Sequence, residues 1–208
     1  MLKTVKAICL NATDYRESDK LLVLLCPEIG KLVSRIRSVK SPKSKLKAGA
    51  SPNCYAEYTL QKGSGLYVVT GVEVIDQFFN TWVDPEKNLA AAAVTEALEL
   101  FTTEGVDAEK EFMSGLKALF GINYGEAHPY IYLLRFMTGL LREIGTDPDT
   151  FVIPGHVGSL ISAAEHADEE ELACLDFSRA ELVAAILWLE RLFKREGGEL
   201  KTLKLLKG

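Results

Sequence analysis

The rhythm of apolar and polar positions changes once along this chain, near residue 80 of 208. Before that point, short runs rich in Val, Ile, Leu and Tyr are separated by clusters of Gly, Pro, Asn, Asp and Ser, the pattern of strands divided by turns. Five such runs are legible, at 3–10, 20–25, 30–39, 52–61 and 66–75. Cys26-Pro27-Glu28-Ile29-Gly30 and Lys62-Gly63-Ser64-Gly65 read as hairpin connections, and 40–51 as one longer excursion. Short antiparallel strands joined this closely suit a small closed barrel, and the five-stranded oligonucleotide-binding (OB) barrel is the expected form. The third run alternates with period two: Leu32, Ser34 and Ile36 on one face, Lys31, Val33, Arg35 and Arg37 on the other.

Beyond residue 80 the period becomes helical. Asp84-Pro85 opens a helix that runs through an Ala-rich stretch to Thr102, with Pro tolerated in its first turn. Further helices are expected at about 107–120 and 126–144. In the latter, Tyr130, Leu133, Leu134, Met137, Leu141 and Ile144 share a face, and Gly145 stops it. Ser178 and Glu181 form a capping box for a last long helix, striped by Leu182, Ala185, Ile186, Leu189 and Phe193 and ended by Gly197-Gly198. The pattern therefore predicts two domains, an all-β OB-fold barrel at 1–80 and an all-α helical domain at 81–208.

Charge adds an asymmetry. The whole chain carries 24 Lys+Arg and 29 Asp+Glu, a net charge of -5. Residues 1–80 hold 12 and 7 of these, and residues 81–208 hold 12 and 22, so the barrel half is basic and the helical half acidic. Lys31, Arg35, Arg37, Lys40, Lys43, Lys45 and Lys47 crowd into 31–47, and no acid occurs between Glu28 and Glu57. A cationic strand continued by an exposed loop of Ser, Pro, Lys and Gly matches a phosphate backbone, with released counterions supplying most of the binding free energy. A solvated strand edge kept from aggregating is the plainer explanation, but one or two lysines suffice for that. Arg16 and Lys20 complete the candidate nucleic-acid contacts. Tyr15, Tyr55, Tyr58 and Tyr67 are candidates for base stacking, although core filling is the commoner duty of such residues. A second basic group (Arg191, Lys194, Arg195, Lys201, Lys204, Lys207) reads as cations placed favourably near helix C-termini, or else as a further phosphate or acidic-peptide contact.

Other chemistries fail on the sequence. The 48% hydrophobic and 25% charged content is ordinary for a soluble globular protein. Apolar runs such as 21–26 and 89–94 are far shorter than the ~20 residues a membrane helix needs. The first residues do not resemble a secretory leader, so a cytoplasmic, nucleoid-associated protein is expected. There is no G-x-x-x-x-G-K-[ST] phosphate loop, no complete dinucleotide fingerprint and no G-x-S-x-G elbow. Asp168-Glu169-Glu170-Glu171 reads as a solvated helix start or loop. Cys9, Cys26, Cys54 and Cys174 are isolated from one another, unlike the paired thiols of a structural zinc site, and read as small buried apolar residues. A non-enzymatic protein is expected. An RNA-binding barrel and an adaptor that docks an acidic protein on the basic strand remain the alternatives to DNA binding.

Several segments in order resemble the bacterial recombination mediator family RecO. They are Tyr15-Arg16-Glu17-Ser18-Asp19-Lys20 with the apolar residues leading to Pro27-Glu28-Ile29-Gly30-Lys31, then Ser44-Lys45-Leu46-Lys47, Tyr55-Ala56-Glu57-Tyr58-Thr59-Leu60, Gly63-Ser64-Gly65-Leu66 and Glu73-Val74-Ile75. Later ones are Leu140-Leu141-Arg142-Glu143-Ile144-Gly145, Asp147-Pro148-Asp149 and the tail Leu200-Lys201-Thr202-Leu203-Lys204-Leu205-Leu206. The resemblance implies an OB barrel followed by a helical domain. It also implies binding to single- and double-stranded DNA, annealing of complementary strands, and help in loading RecA. The implied partners are RecR and the acidic, apolar C-terminal tail of single-stranded DNA-binding protein. Many members of that family carry two cysteine pairs that bind zinc. Here Thr150-Phe151-Val152-Ile153-Pro154-Gly155-His156 offers no such pair, and a lone Cys174 cannot hold Zn²⁺. No zinc or other cofactor is expected, with the zinc module absent or shortened to a loop and short helix near 150–176.

Overall fold

A computed structural model describes residues 2–63 and 65–207. The chain divides into two compact units, Met1–Phe78 with Leu98–Met113, and Phe79–Ala97 with Ser114–Gly208.

The first unit is built on five strands, β1 (Leu2–Tyr15), β2 (Asp19–Cys26), β3 (Gly30–Ile36), β4 (Tyr55–Lys62) and β5 (Tyr67–Asp76). They close a barrel in the order β1-β2-β3-β5-β4. Neighbours are antiparallel except β3 and β5, which run parallel from Ser34–Tyr67 to Ile36–Val69 and shut the barrel. This is the OB topology that the strand pattern predicts. β1 extends five residues past the apolar run that reveals it. Its first half pairs with β4 and its second with β2, and a bulge between Cys9 and Asn11 bends it from one partner to the other. The second half, Asn11 to Tyr15, is polar and half-exposed, so it lacks the alternation by which a strand is recognised. Ser64, in the expected second hairpin turn, lies outside the described residues.

The core follows the period of two. Val5, Ala7 and Cys9 of β1 meet Leu22 and Leu24 of β2, Leu32 and Ile36 of β3, Tyr58 and Leu60 of β4, and Val69 of β5. Ser34 points inward among them, fully buried, and among the described residues its hydroxyl has no hydrogen-bond partner. A buried, unpaired hydroxyl costs about 1–3 kcal/mol. Ser34→Ala, which removes it with almost no change in volume, should therefore raise stability by about 1 kcal/mol. Denaturant unfolding of the two proteins checks this, and a lowered midpoint would show that the hydroxyl is stabilising after all.

The excursion 37–54 is not the wholly exposed loop that its composition suggests. Val39, Gly49, Ala50 and Cys54 are buried, and Leu46 packs on the core. It holds a 3-10 turn at Lys47–Gly49. The Tyr58 hydroxyl donates to the Gly49 carbonyl at 2.9 Å, and Gln77 Nε2 donates to the Ala48 carbonyl at 3.2 Å. A Cβ on Gly49 would lie 2.3 Å from Val72 Cγ1, so the close approach requires glycine. The loop is thus fastened by its small and apolar residues while its lysines stay outside.

The second unit is helical. Its elements are α1 (Asn80–Val83), α2 (Pro85–Phe101), α3 (Glu109–Tyr124), α4 (Pro129–Glu143), α5 (Gly155–His166), α6 (Glu169–Cys174) and α7 (Arg179–Arg195). The last residues of α2 and the first of α3 belong to the barrel unit. α4 is buried nearly all round, including Ile131, Phe136 and Leu140 outside the expected face, which marks it as the centre of this unit. The capping box Ser178–Glu181 begins α7, and a second box, Asp168–Glu171, begins α6, so the acidic run is a helix start. Within 150–176 the structure has two helices rather than a loop and one short helix. Val157, Leu160, Ile161 and Ala164 give α5 its buried stripe, but Gly155, Gly158 and the preceding Pro154 dilute that signal in the sequence. Arg142, at the end of α4, reaches Asp147, Asp149 and Glu165 and fastens this segment.

Candidate nucleic-acid interface

The register decides which cations meet. Tyr15 pairs with Asp19 across the β1–β2 turn, and Lys20 pairs with Ile36 of β3. The end of β1, the start of β2 and the end of β3 therefore lie side by side at one end of the barrel. The Lys40 amide donates to the Ser18 carbonyl at 3.1 Å, which ties the excursion to the β1–β2 turn. Lys20 Nζ donates to the Ala50 carbonyl at 3.4 Å, a second tie. Arg16, Lys20, Arg35, Arg37 and Lys40 are brought together in this way, and Lys43, Lys45 and Lys47 follow on the exposed side of the excursion.

The sequence shows no acid within the basic run, but strand pairing supplies two from outside it. Asp19, only 4% exposed, accepts from Arg35 Nε at 2.7 Å and also from its Nη2, and takes the Ser38 amide at 2.8 Å and the Ser18 hydroxyl at 3.3 Å. The Ser38 amide, followed by the Arg35 guanidinium, holds the Asp19 carboxyl below its usual range. Asp14 pairs with Lys40 at 2.8 Å. Lys31 is placed elsewhere. Its ammonium donates to the Glu99 carbonyl in the last turn of α2, where a cation complements the helix dipole. Among the described residues no carboxylate lies at ion-pair distance from Arg16, Lys20, Arg37, Lys43, Lys45 or Lys47. These six are the groups whose charge is open to a ligand.

Arg16 and Ser38 carry positive φ, 54° and 51°. Neither is glycine, and each sits where the chain turns out of a strand at this end. The tyrosines divide. Tyr58 is a core residue of the barrel, and Tyr55 packs edge-on against Phe112 at 6.0 Å. Tyr67 packs on the core from its margin. Tyr15 stays half-buried, with the Arg16 and Arg35 guanidinium carbons 5.2 and 5.5 Å from its ring centroid.

Four of the six C-terminal cations serve the helical unit itself. Lys194 and Lys207 both grip the buried Glu190, at 3.1 and 2.9 Å, and Lys204 pairs with Glu199 at 3.2 Å. Arg195 lies over the Phe151 ring at 4.6 Å. A groove of about 650 Å³ opens between α3 and α4, with Phe120, Tyr124 and Phe136 in its walls and Lys117 and Arg135 beside them. Cys9, Cys26 and Cys54 are buried in the barrel, and burial pushes the Cys26 and Cys54 thiols up to about 12 and about 11, which leaves them unreactive. Among the described residues no three His, Cys, Asp or Glu side chains converge as metal ligands, and no helix is long and apolar enough to cross a membrane.

A closed five-stranded OB barrel with a cationic end, joined to a helical unit, defines the class. The family model described as Recombination protein O N terminal matches residues 1–78. The chain is 31% identical over 183 residues to the DNA repair protein RecO of Shouchella clausii, covering 81% of this chain and 71% of that protein. It is 32% identical over 143 residues to the DNA repair protein RecO of Syntrophomonas wolfei, covering 69% and 57%. It is 41% identical over 141 residues to that of Clostridium novyi, covering 67% and 55%. This chain belongs to the RecO family. It spans little more than half the length of several of the curated relatives it matches, such as 57% of the Syntrophomonas protein and 51% of that from Desulfitobacterium hafniense.

Proposed function

We propose that this protein is a non-enzymatic DNA repair protein of homologous recombination, which binds single- and double-stranded DNA in the cytoplasm and anneals complementary strands. The observation that carries this reading is the barrel end, where six cations without carboxylate partners are gathered by the β1–β2 turn and the fastened excursion. Annealing requires two polyanions to approach each other. A cationic surface that holds both lowers their repulsion without ATP, and base pairing rather than the protein reads the sequence. Family membership supports a role beside RecR in loading RecA on DNA coated with single-stranded DNA-binding protein. The groove of the helical unit supports docking of that protein's acidic, apolar tail through its aromatic walls and Lys117, while Arg135 beside them is paired with Glu169 at 3.9 Å. No zinc is needed for any of these steps. The test is to mix two complementary labelled strands coated with single-stranded DNA-binding protein and follow pairing without nucleotide. The chain should accelerate pairing, and an unchanged rate at low salt would refute the reading. Competition with RNA of the same length distinguishes it from an RNA-binding barrel.

A further inference from the structure

We propose that Tyr15 and Arg35, held in place by Asp19, form a seat for one unpaired base, so that this end of the barrel favours single-stranded over duplex DNA. The inference rests on the DNA-binding reading and adds to it the form of DNA that the site prefers.

Arg35 is a poor phosphate ligand as it stands. Its charge is answered by Asp19 through both Nε and Nη2, and its side chain is 22% exposed. A neutralised pair adds little net attraction for a polyanion. Yet it sits among six cations that have no such partner, so its contribution has to be one of shape. Asp19 fixes the plane of the guanidinium, and Asp19 is itself fixed by the Ser38 amide and the Ser18 hydroxyl. What this arrangement presents is a rigid, flat cation beside the ring of Tyr15. Flat groups that are already immobile lose little entropy when another flat group stacks on them. Stacking tolerates any base, because every base has a π-face.

Both guanidiniums make cation–π contacts with the Tyr15 ring, and they differ in how they are held. Arg16 is exposed, lies in the turn, and among the described residues has no ion pair, whereas Arg35 is fixed by Asp19. An exposed contact of that kind is weak, so Arg16 can leave the ring for a phosphate when a base arrives. A duplex cannot use such a seat, because its bases are already stacked on one another. It reaches only the phosphate contacts of Arg16, Lys20, Arg37, Lys43, Lys45 and Lys47.

Asp19 is thus a positioning residue, and its removal separates two accounts by sign. If the site attracts DNA by charge alone, deleting a carboxylate among cations strengthens binding to every probe. If Asp19 holds the seat, its loss weakens binding to strands that carry bases. The experiment measures affinity of the full chain for three probes of equal length: a thymidine oligonucleotide, the same backbone with abasic units, and a duplex. Asp19→Asn and Tyr15→Ala should each weaken thymidine binding about tenfold without weakening the other two probes by more than about twofold. Tyr15→Phe, which keeps the ring, should bind like the unaltered protein. On the unaltered protein, a 2-aminopurine placed in a single strand should change its fluorescence on binding as it leaves its neighbours for the seat. An Asp19→Asn protein that binds all probes as tightly as before or more tightly overturns the proposal. So does a Tyr15→Ala loss equal on the abasic strand, or an unresponsive 2-aminopurine. Absence of binding to all three probes by the unaltered protein would instead remove the DNA-binding reading beneath it, and this proposal with it.

Discussion

Alanine at Arg37, Lys43, Lys45 and Lys47 together should lower DNA affinity by about a thousandfold at ~0.1 M salt, because each lost phosphate contact removes about 0.9 from the dependence of log K on log salt. All four side chains are exposed, and among the described residues none makes an ion pair. Substitutions of that kind change stability by only about 0.5 kcal/mol or less each, so the melting temperature should hardly move. The loop is fastened by Val39, Leu46, Gly49 and Ala50, which remain. Loss should be equal across sequences, since backbone contacts carry no base information. Titration of labelled oligonucleotides by anisotropy, beside a thermal melt, checks both halves. A fall of less than about tenfold would mean that the excursion is not the main electrostatic contact.

Gly30→Ala should be among the most destabilising single changes in the barrel unit. Gly30 opens β3 at φ +69°, in the left-handed region where a Cβ costs about 1–2 kcal/mol. The added Cβ would also lie 1.8 Å from the Val106 carbonyl oxygen and 3.0 Å from that of Thr103, both backbone atoms. Those atoms belong to the segment Leu98–Met113, which bonds to the hairpin through Lys31 N–H to Thr103 O at 3.4 Å, Gly105 N–H to Lys31 O at 3.3 Å and Ala108 N–H to Pro27 O at 3.0 Å. The substitution has to strain the turn and push this segment away together. A loss above ~3 kcal/mol is expected, or a melting temperature lower by roughly 6–12 °C. Equilibrium unfolding measures it, and a change under ~1 kcal/mol would show that hairpin and segment yield easily.

Much of the fold was readable because the barrel strands obey a strict alternation. The inward set Leu32, Ser34 and Ile36 and the outward set Lys31, Val33 and Arg35 can be assigned from β3 alone, and both assignments hold. What alternation cannot show is which strands touch. Asp19 precedes Arg35 by sixteen residues, and only the β2–β3 register makes them neighbours. Counting charges along the chain therefore overstates how many cations are open. Lys31 misleads in another way. It belongs to the outward set, but its end of the strand meets the last turn of α2, and no local pattern records that. A signal for Asp19 did exist. Tyr15-Arg16-Glu17-Ser18-Asp19 turns the chain from one strand into the next, so pairing that second strand onto the third brings the Asp19 carboxylate to Arg35. The fastening of the excursion was hidden because Gly49 and Ala50 are small, and small residues carry little apolar signal.

The measurement closest to the central claim is the affinity of the unaltered chain for a duplex across a series of salt concentrations. Six cations without carboxylate partners predict that log K falls with log salt at a slope of about -5. A slope near zero would contradict the claim that this barrel end binds DNA through its phosphates.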